Sequence, residues 1–130
     1  MTERFDAHDL ARTPGYSHAA ASSGDRLVLT AGAVPLDAEG NLVGPGDTVA
    51  QARRVLRNLG LALEAAGAGW EDVLKTTVYV VAEDRKDLAD VWGVVQGSPV
   101  AAAASTLLGV SLLGYEGQLV EIEAIAVCDG

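Results

Sequence analysis

The stretch QLVEIEAIAV, residues 118–127, sets two carboxylates two positions apart in a run of branched apolar residues. In an extended strand alternate side chains share a face, so Glu121 and Glu123 stand in line with Ile125 and Val127, while Val120, Ile122, Ala124 and Ala126 share the other side. A face of that composition has two readings. Either the glutamates are solvated, as surface glutamates ordinarily are, or the face lines a cleft where a carboxylate holds a water or takes a proton.

Other chemistry is sparser. His8 and His18 have no neighbouring cysteine and no paired-histidine motif, so no metal site is expected. Ser17, Ser105 and Thr106 lie in no Gly-x-Ser-x-Gly elbow, and the glycines of GNLVGPGD have the spacing of turn formers rather than of a phosphate loop. The single cysteine, Cys128, rules out an intrachain disulfide and a cysteine-based metal cluster.

These side chains must be carried by a chain of 130 residues that is 49% hydrophobic, enough for one domain over residues 1–130 with a real core. The net charge of -9, with only nine lysines and arginines, excludes partners bound by phosphate neutralisation, so neither nucleic acid nor an anionic membrane is expected. The start MTERFDAHDL lacks an apolar run behind a basic segment, and no stretch reaches the roughly 18 apolar residues of a membrane span. A cytoplasmic location is the expectation.

Two short runs, Ser17 to Ser22 and Arg26 to Ala31, flank Ser23-Gly24-Asp25 and predict a β-hairpin. The second arm, LVLTAG, is apolar on nearly both faces, which predicts a central strand. The turn-rich segment PLDAEGNLVGPGD follows as a loop. A helix then runs from an N-cap at Asp47 or Thr48 to a stop at Gly67, with Val49, Ala52, Val55, Leu56, Leu59, Leu63 and Ala66 as its apolar stripe. Gly60 inside it marks a close packing contact rather than a break. VLKTTVYVV predicts a strand, and a short, weakly capped helix follows over Asp84 to Gln96 with Leu88, Val91, Val94 and Val95 inward. Strands near Thr106 to Leu112 and Gln118 to Val127 close the chain. The order ββ, α, β, α, ββ predicts an α+β domain with both helices on one face of a single sheet. The other face needs a cover, and oligomerisation supplies one.

Four stretches, in order and over nearly the whole chain, resemble the Rid family, also called YjgF/YER057c/UK114. PGYSH, residues 14–18, resembles the family's Gly-Pro-Tyr-Ser-Gln; LTAGAVPLDAEGNLV resembles its strand ending Ser-Gly-Gln-Ile-Pro. QARRVLRNLGLALEAAGAGWEDVLKTTVYV resembles its helix with Gln and Asn at fixed positions, and VEIEAIA stands unchanged at residues 120–126. The resemblance implies a mixed sheet in a fold like the trimeric bacterial (Bacillus-type) chorismate mutase, a homotrimer with clefts between subunits, and no cofactor. In the best-known branch, 2-imino acids or their enamine tautomers are hydrolysed to 2-keto acids and ammonia. There an arginine grips the substrate carboxylate, a last-strand glutamate orients water, and a tyrosine and a serine line the cleft.

Carried over by position, the glutamate is Glu121 and the tyrosine Tyr16. The serine is Ala31, with Thr30 beside it, and the glutamine after the next glycine is Ala33. The arginine falls on Ser105 or Thr106, and no arginine follows Arg85. The second-helix asparagine falls on Trp92, and the Gln after Tyr-Ser is His18, which could carry a proton if it faces the cleft. Without the bidentate fork, a substrate carboxylate near Glu121 would be repelled and desolvated, so small 2-imino acids are disfavoured. Glu121 could instead meet an ammonium or iminium group or act as base, with Trp92 and the alanine-rich wall receiving an apolar body. Two functions follow as expectations. One is a Rid-like enzyme acting on imines, enamines or related small molecules by water or proton transfer, with Glu121, Tyr16 and His18 as its chemistry and Ser105, Thr106, Thr30, Ala31 and Trp92 as its binding surface. The other is a trimeric ligand-binding or regulatory module that kept the fold and lost the reaction. Glu123 is expected to be structural or solvated.

Overall fold

The computed structural model describes residues 1–130. Its strands are β1 (Thr2–Phe5), β2 (Ala19–Ser22), β3 (Arg26–Leu29), β4 (Val73–Val81), β5 (Ala104–Val110) and β6 (Val120–Cys128); its helices are α1 (Thr48–Ala65) and α2 (Arg85–Gln96), with a 3-10 turn at Trp70–Asp72. A four-stranded mixed sheet has the order β3-β6-β4-β5, in which β4 and β5 are parallel and the other pairs antiparallel. The expected α+β class with a mixed sheet and two helices is what the chain forms.

Both helices start where a carboxylate can satisfy free backbone donors. Asp47 accepts from Ala50 N at 2.9 Å, and Asp84 from Lys86 N at 3.0 Å and Asp87 N at 3.3 Å, so α2 is better capped than its sequence suggested. Their apolar stripes meet Val78, Val80, Val120, Ile122, Ala124 and Ala126 in one buried cluster. Gly60 is a close contact as predicted: a Cβ there would lie 2.7 Å from Trp70 Cζ2. On α2, Trp92 turns inward beside Val91 and Val95, while Val94 is only half-buried.

The predicted hairpin does not form. β2 pairs instead with β1, a strand that the polar sequence TERF did not announce, and the two make a separate ribbon. Ser23 N donates to Met1 O, which closes the ribbon, while Gly24 is pressed so tightly on the end of β6 that a Cβ would lie 2.8 Å from Cys128 O. The chain therefore steps from one ladder to another across three residues. β3 is also not central. It is an edge strand, and its apolar second face is bare: Leu27 and Leu29 are 63% and 67% exposed. Its double-sided hydrophobicity fits a face that the chain itself leaves uncovered.

One buried side chain ties the loops to the helix. Gln51, fully buried on α1, donates through Nε2 to Gly44 O at 3.1 Å and Gly117 O at 3.0 Å and accepts from Leu119 N at 2.7 Å. Replacing it with a similarly shaped apolar chain leaves three backbone groups unpaired on the inner side of their loops, where desolvation is penalised. Gln51→Met is expected to lower stability by about 2–4 kcal/mol. Urea denaturation reads this as a lower midpoint at unchanged slope; a loss below about 1 kcal/mol would mean that water replaces the amide.

Candidate functional site

Strand alternation divides the candidate residues between two faces. On β6, Val120, Ile122, Ala124 and Ala126 are buried under the helices, whereas Glu121, Glu123 and Ile125 look the other way. Across the ladder Glu121 stands opposite Tyr79, Glu123 opposite Thr77 and Ile125 opposite Lys75. In the parallel β4–β5 ladder Ser105 pairs with buried Thr76, and Thr106 with Thr77. Ser105 therefore faces the helix side, and Thr106 the open side.

On the open face, Glu121 is half-buried and fixed. Its Oε1 accepts from Gln118 Nε2 at 3.0 Å; the same amide group donates to Val120 O at 3.0 Å, and Gln118 Oε1 accepts from Tyr115 N at 3.1 Å. The other oxygen, Oε2, lies over Gly32, where a Cβ would come within 2.2 Å. Only glycine leaves that space. Gly32 sits in a bulge: Thr30 pairs with Ala124 and Ala33 with Ile122, so Ala31 and Gly32 together oppose Glu123. Thr30 enters the bulge by using its hydroxyl as a carbonyl would be used, accepting from Ala124 N at 2.9 Å. The N–H groups of Ala31 and Gly32 have no acceptor in the chain. A fixed carboxylate beside two free amide donors can hold a water and polarise an electron-rich group next to it.

Glu123 has a structural partner. Tyr79 donates its hydroxyl to Glu123 Oε1 at 2.6 Å, and this bond, followed by burial and the nearby carboxylate charges, holds the phenol above its ordinary value of 10.0. Lys75 Nζ donates to Thr106 Oγ1 at 2.5 Å on the same face, which commits Thr106 to a neighbour.

At the β5 edge, under α2, lies the other group. The segment from Thr13 to Ser17 is strapped down by Trp92 Nε1 donating to Pro14 O at 3.0 Å and by Ser17 Oγ donating to Ala102 O at 2.5 Å. Gly15, at φ 113°, makes the turn that lets Tyr16 meet Trp92 edge-to-face with ring centroids 6.0 Å apart. Tyr16, Trp92 and Ser105 line a cleft of about 430 Å³ together with Leu88, Leu107 and Arg85. The Ser105 hydroxyl accepts from Thr76 Oγ1 at 2.8 Å.

His18 packs edge-to-face on Tyr16, with ring centroids 6.4 Å apart, but lines neither the cleft under α2 nor the surroundings of Glu121. Its Nδ1 accepts from Ala7 N at 3.0 Å and its Nε2 lies 3.1 Å from Ala11 O, which employs both ring nitrogens in holding the 7–11 loop. In this conformation it carries no proton to a substrate. No three His, Cys, Asp or Glu side chains converge as a metal site would require.

The structure thus brings together Tyr16, Trp92 and Ser105 in one place, and Glu121 with Thr30 and Ala31 in another, with β4 between them. The sequence reading missed Gln118, Gly32 and Arg85. Gly32 had a signal, as a glycine inside a strand-like run; Arg85 stands at the helical spacing i, i+7 from Trp92.

The sequence compares closely with known proteins. Residues 7–128 match the family model described as Endoribonuclease L-PSP. A RutC family protein of Synechocystis sp. is 38% identical over 116 residues, covering 86% of this chain and 85% of that one. A mouse protein named 2-iminobutanoate/2-iminopropanoate deaminase is 38% identical over 107 residues, covering 79% and 75%. Among solved structures, the Rid family protein YyfB of Yersinia pestis superposes with a TM-score of 0.91 at 33% identity over 98% of both chains. The YjgF gene product of Escherichia coli gives 0.66 at 30% identity over 96% of this chain and 98% of its own.

The Tyr79–Glu123 bond has a pH signature. A phenol raised in the folded state contributes stability in full below its unfolded pKa near 10, and loses that contribution as pH rises through the folded value. Ultraviolet titration should show one of the three tyrosines ionising above the ordinary range. Glu123→Gln should bring it back towards 10; an unmoved titration would assign the shift to burial alone.

Proposed function

The chain belongs to the Rid family, whose model is described as Endoribonuclease L-PSP, and on that premise we propose that it hydrolyses imines or enamines at clefts between the subunits of a homotrimer, without a cofactor. The observation that carries the reading is the carboxylate of Glu121, locked by Gln118 over Gly32 and set beside two unpaired backbone N–H groups. A half-buried glutamate oriented this tightly on an open sheet face costs conformational freedom that a solvated surface residue does not give up. The name of the mouse relative supports imine hydrolysis as the reaction.

Glu121 takes a proton from a water as that water adds to the imine carbon. Glu121 returns that proton to the nitrogen of the resulting carbinolamine, and the C–N bond breaks as the hydroxyl gives its proton to Glu121, releasing ammonia and leaving a carbonyl. Tyr16, Trp92 and Ser105 receive the rest of the substrate. Because Glu121 and Ser105 lie on opposite faces of one sheet with β4 between them, one chain cannot present both to one small molecule. A second copy packing its open face near the β5 edge of the first can. The exposed Leu27, Leu29, Leu108 and Ile125 on that face support such packing.

Ser105 sets the substrate range. It offers one hydroxyl, already engaged with Thr76, where the family branch that hydrolyses small 2-imino acids has a guanidinium, so small 2-imino acids are poor substrates. The endoribonuclease description of the family model does not extend to this chain, because a net charge of -9 opposes a polyanionic substrate. Loss of the strand arginine also favours a second reading, a trimeric ligand-binding or regulatory module without catalysis. Hydrolysis of any imine by the wild type rules that out. A cytoplasmic location agrees with the single free thiol, Cys128.

Imines generated in situ by an amine or amino acid oxidase provide the assay. Wild type should turn over imines lacking a carboxylate faster than 2-iminobutanoate, and Glu121→Ala should lose about 10²-fold or more. Ser105→Arg should gain 2-iminobutanoate hydrolysis that Glu121→Ala removes. Efficient wild-type hydrolysis of 2-iminobutanoate would refute the argument from Ser105. Separately, Leu29→Glu should convert a trimer to monomers in sedimentation and abolish hydrolysis with it. An active monomer would place the whole reaction within one chain.

A further inference from the structure

The cleft under α2 is not closed at its far end by an apolar wall. Arg85, Leu88, Ala89 and Trp92 occupy positions i, i+3, i+4 and i+7 of α2 and form one face of the helix over Ser105 and Leu107 of β5. α2 connects the two parallel strands β4 and β5, so it runs back against them. Its last turns lie over the start of β5, where Tyr16 and Ser105 are, and its first residue lies towards the other end; a Cβ on Gly109, near the end of β5, would sit 3.8 Å from Leu88 Cδ2. The cleft is therefore a groove, aromatic at one end and cationic at the other. Seven residues of helix separate the ends, about 10 Å at 1.5 Å per residue.

Arg85 is uncommitted. The one ion pair that a lysine or arginine of the chain makes is Lys86–Asp90, and no acceptor lies within hydrogen-bond distance of the Arg85 guanidinium. No carboxylate lines the groove. The acidic neighbours on α2 point elsewhere: Asp84 caps the helix, Asp87 accepts from Glu83 N, and Asp90 binds Lys86. Arg12, Arg53 and Arg57 are unpaired as well, so what sets Arg85 apart is its place as the one charged residue lining an otherwise apolar and aromatic groove.

We propose that Arg85 is the specificity-determining anchor of this groove, and that the ligand it selects is an elongated apolar molecule bearing a carboxylate about 10 Å from the end that lies against Trp92 and Tyr16. Arg85 does from the helix, at long range, what an arginine at position 105 would do from the strand at short range. In what it says of substrate, the inference rests on the reading of the chain as an imine- or enamine-hydrolysing protein. It names the substrate class: molecules whose anionic group is remote from the reacting carbon. Such a carboxylate stays clear of Glu121, so the repulsion that disfavours small 2-imino acids does not arise.

Direct binding by calorimetry tests the groove independently of any reaction. The probes are 6-phenylhexanoate, long enough to span it, and the neutral 6-phenylhexanamide, with phenylacetate and phenylacetamide as a pair too short to reach both ends. Wild type should bind the long carboxylate about tenfold more tightly than its amide, as one charge-assisted anchor at an exposed position allows. That preference should shrink as salt is raised and be absent from the short pair. Arg85→Gln should erase the preference and leave amide affinity unchanged, and Arg85→Lys should restore part of it. Equal binding of the long pair by wild type, a preference that survives Arg85→Gln, or no binding of either probe would overturn the proposal. The oxidase-coupled assay on wild type separates the two claims. A carboxylate preference without imine hydrolysis would sink the reaction and keep the groove; hydrolysis without the preference would sink the groove alone.

Discussion

Two helices connected as these are cover only one face of a four-stranded sheet, and most of what this chain can do depends on the face left over. Strand alternation sends Val120, Ile122, Ala124 and Ala126 into the core, and by the same geometry sends Glu121, Glu123 and Ile125 out of it. The outward set is neither a purely polar solvent face nor a purely apolar interface. Leu27, Leu29 and Leu108 are exposed on it, while Glu121, Tyr79 and Glu123 have their polar groups satisfied within the chain. A face of that mixed kind suits a contact between copies that encloses a polar cleft.

Glu121 is held by more than its own strand. Gln51 on α1 accepts from Leu119 N, and the next residue back, Gln118, holds the Glu121 carboxylate. The helix on one side of the sheet thus fixes the loop that orients a side chain on the other. Gly32 completes the arrangement by absence, since its missing Cβ is the room that Oε2 occupies. The bulge at Ala31 and Gly32 turns the chain so that this glycine sits over the carboxylate, and the hydroxyl of Thr30 repairs the ladder where the bulge interrupts it. The parts of this assembly are separated widely along the chain, yet each is needed for a single oriented oxygen pair.

The groove under α2 joins residues from three parts of the chain, Tyr16, the α2 face and Ser105. In the fold, Ser105 is tied to Thr76, and the cation lining the same cleft comes from Arg85 on the helix above.

Much was legible before folding. The apolar periodicity of α1, the β-branched run of β4 and the alternation in β6 each follow from local rules of side-chain direction, so their type and buried face could be read directly. The role of Gly60 was legible too, because a glycine in a strong helix needs a close neighbour. The pairing of β2 was not: a four-residue strand of alanines and one serine carries almost no register information, and β2 goes to β1, closed by the Met1–Ser23 contact, while Gly24 presses on the end of β6. Nor was the fate of His18, whose two nitrogens are claimed by a loop of no recognisable pattern. The choice between Ser105 and Thr106 is the plainest case. The two are adjacent in sequence and look equivalent there, but a strand sends neighbours to opposite faces, and only the ladder with β4 decides which one meets Tyr16 and Trp92. The sequence by itself determined the type and buried face of the long elements and the chemistry they carry, because those are local properties; the short strand β1 carried no such local signal. Which side chains share a space was decided by strand pairing and by the single covered face, because those contacts join residues far apart along the chain.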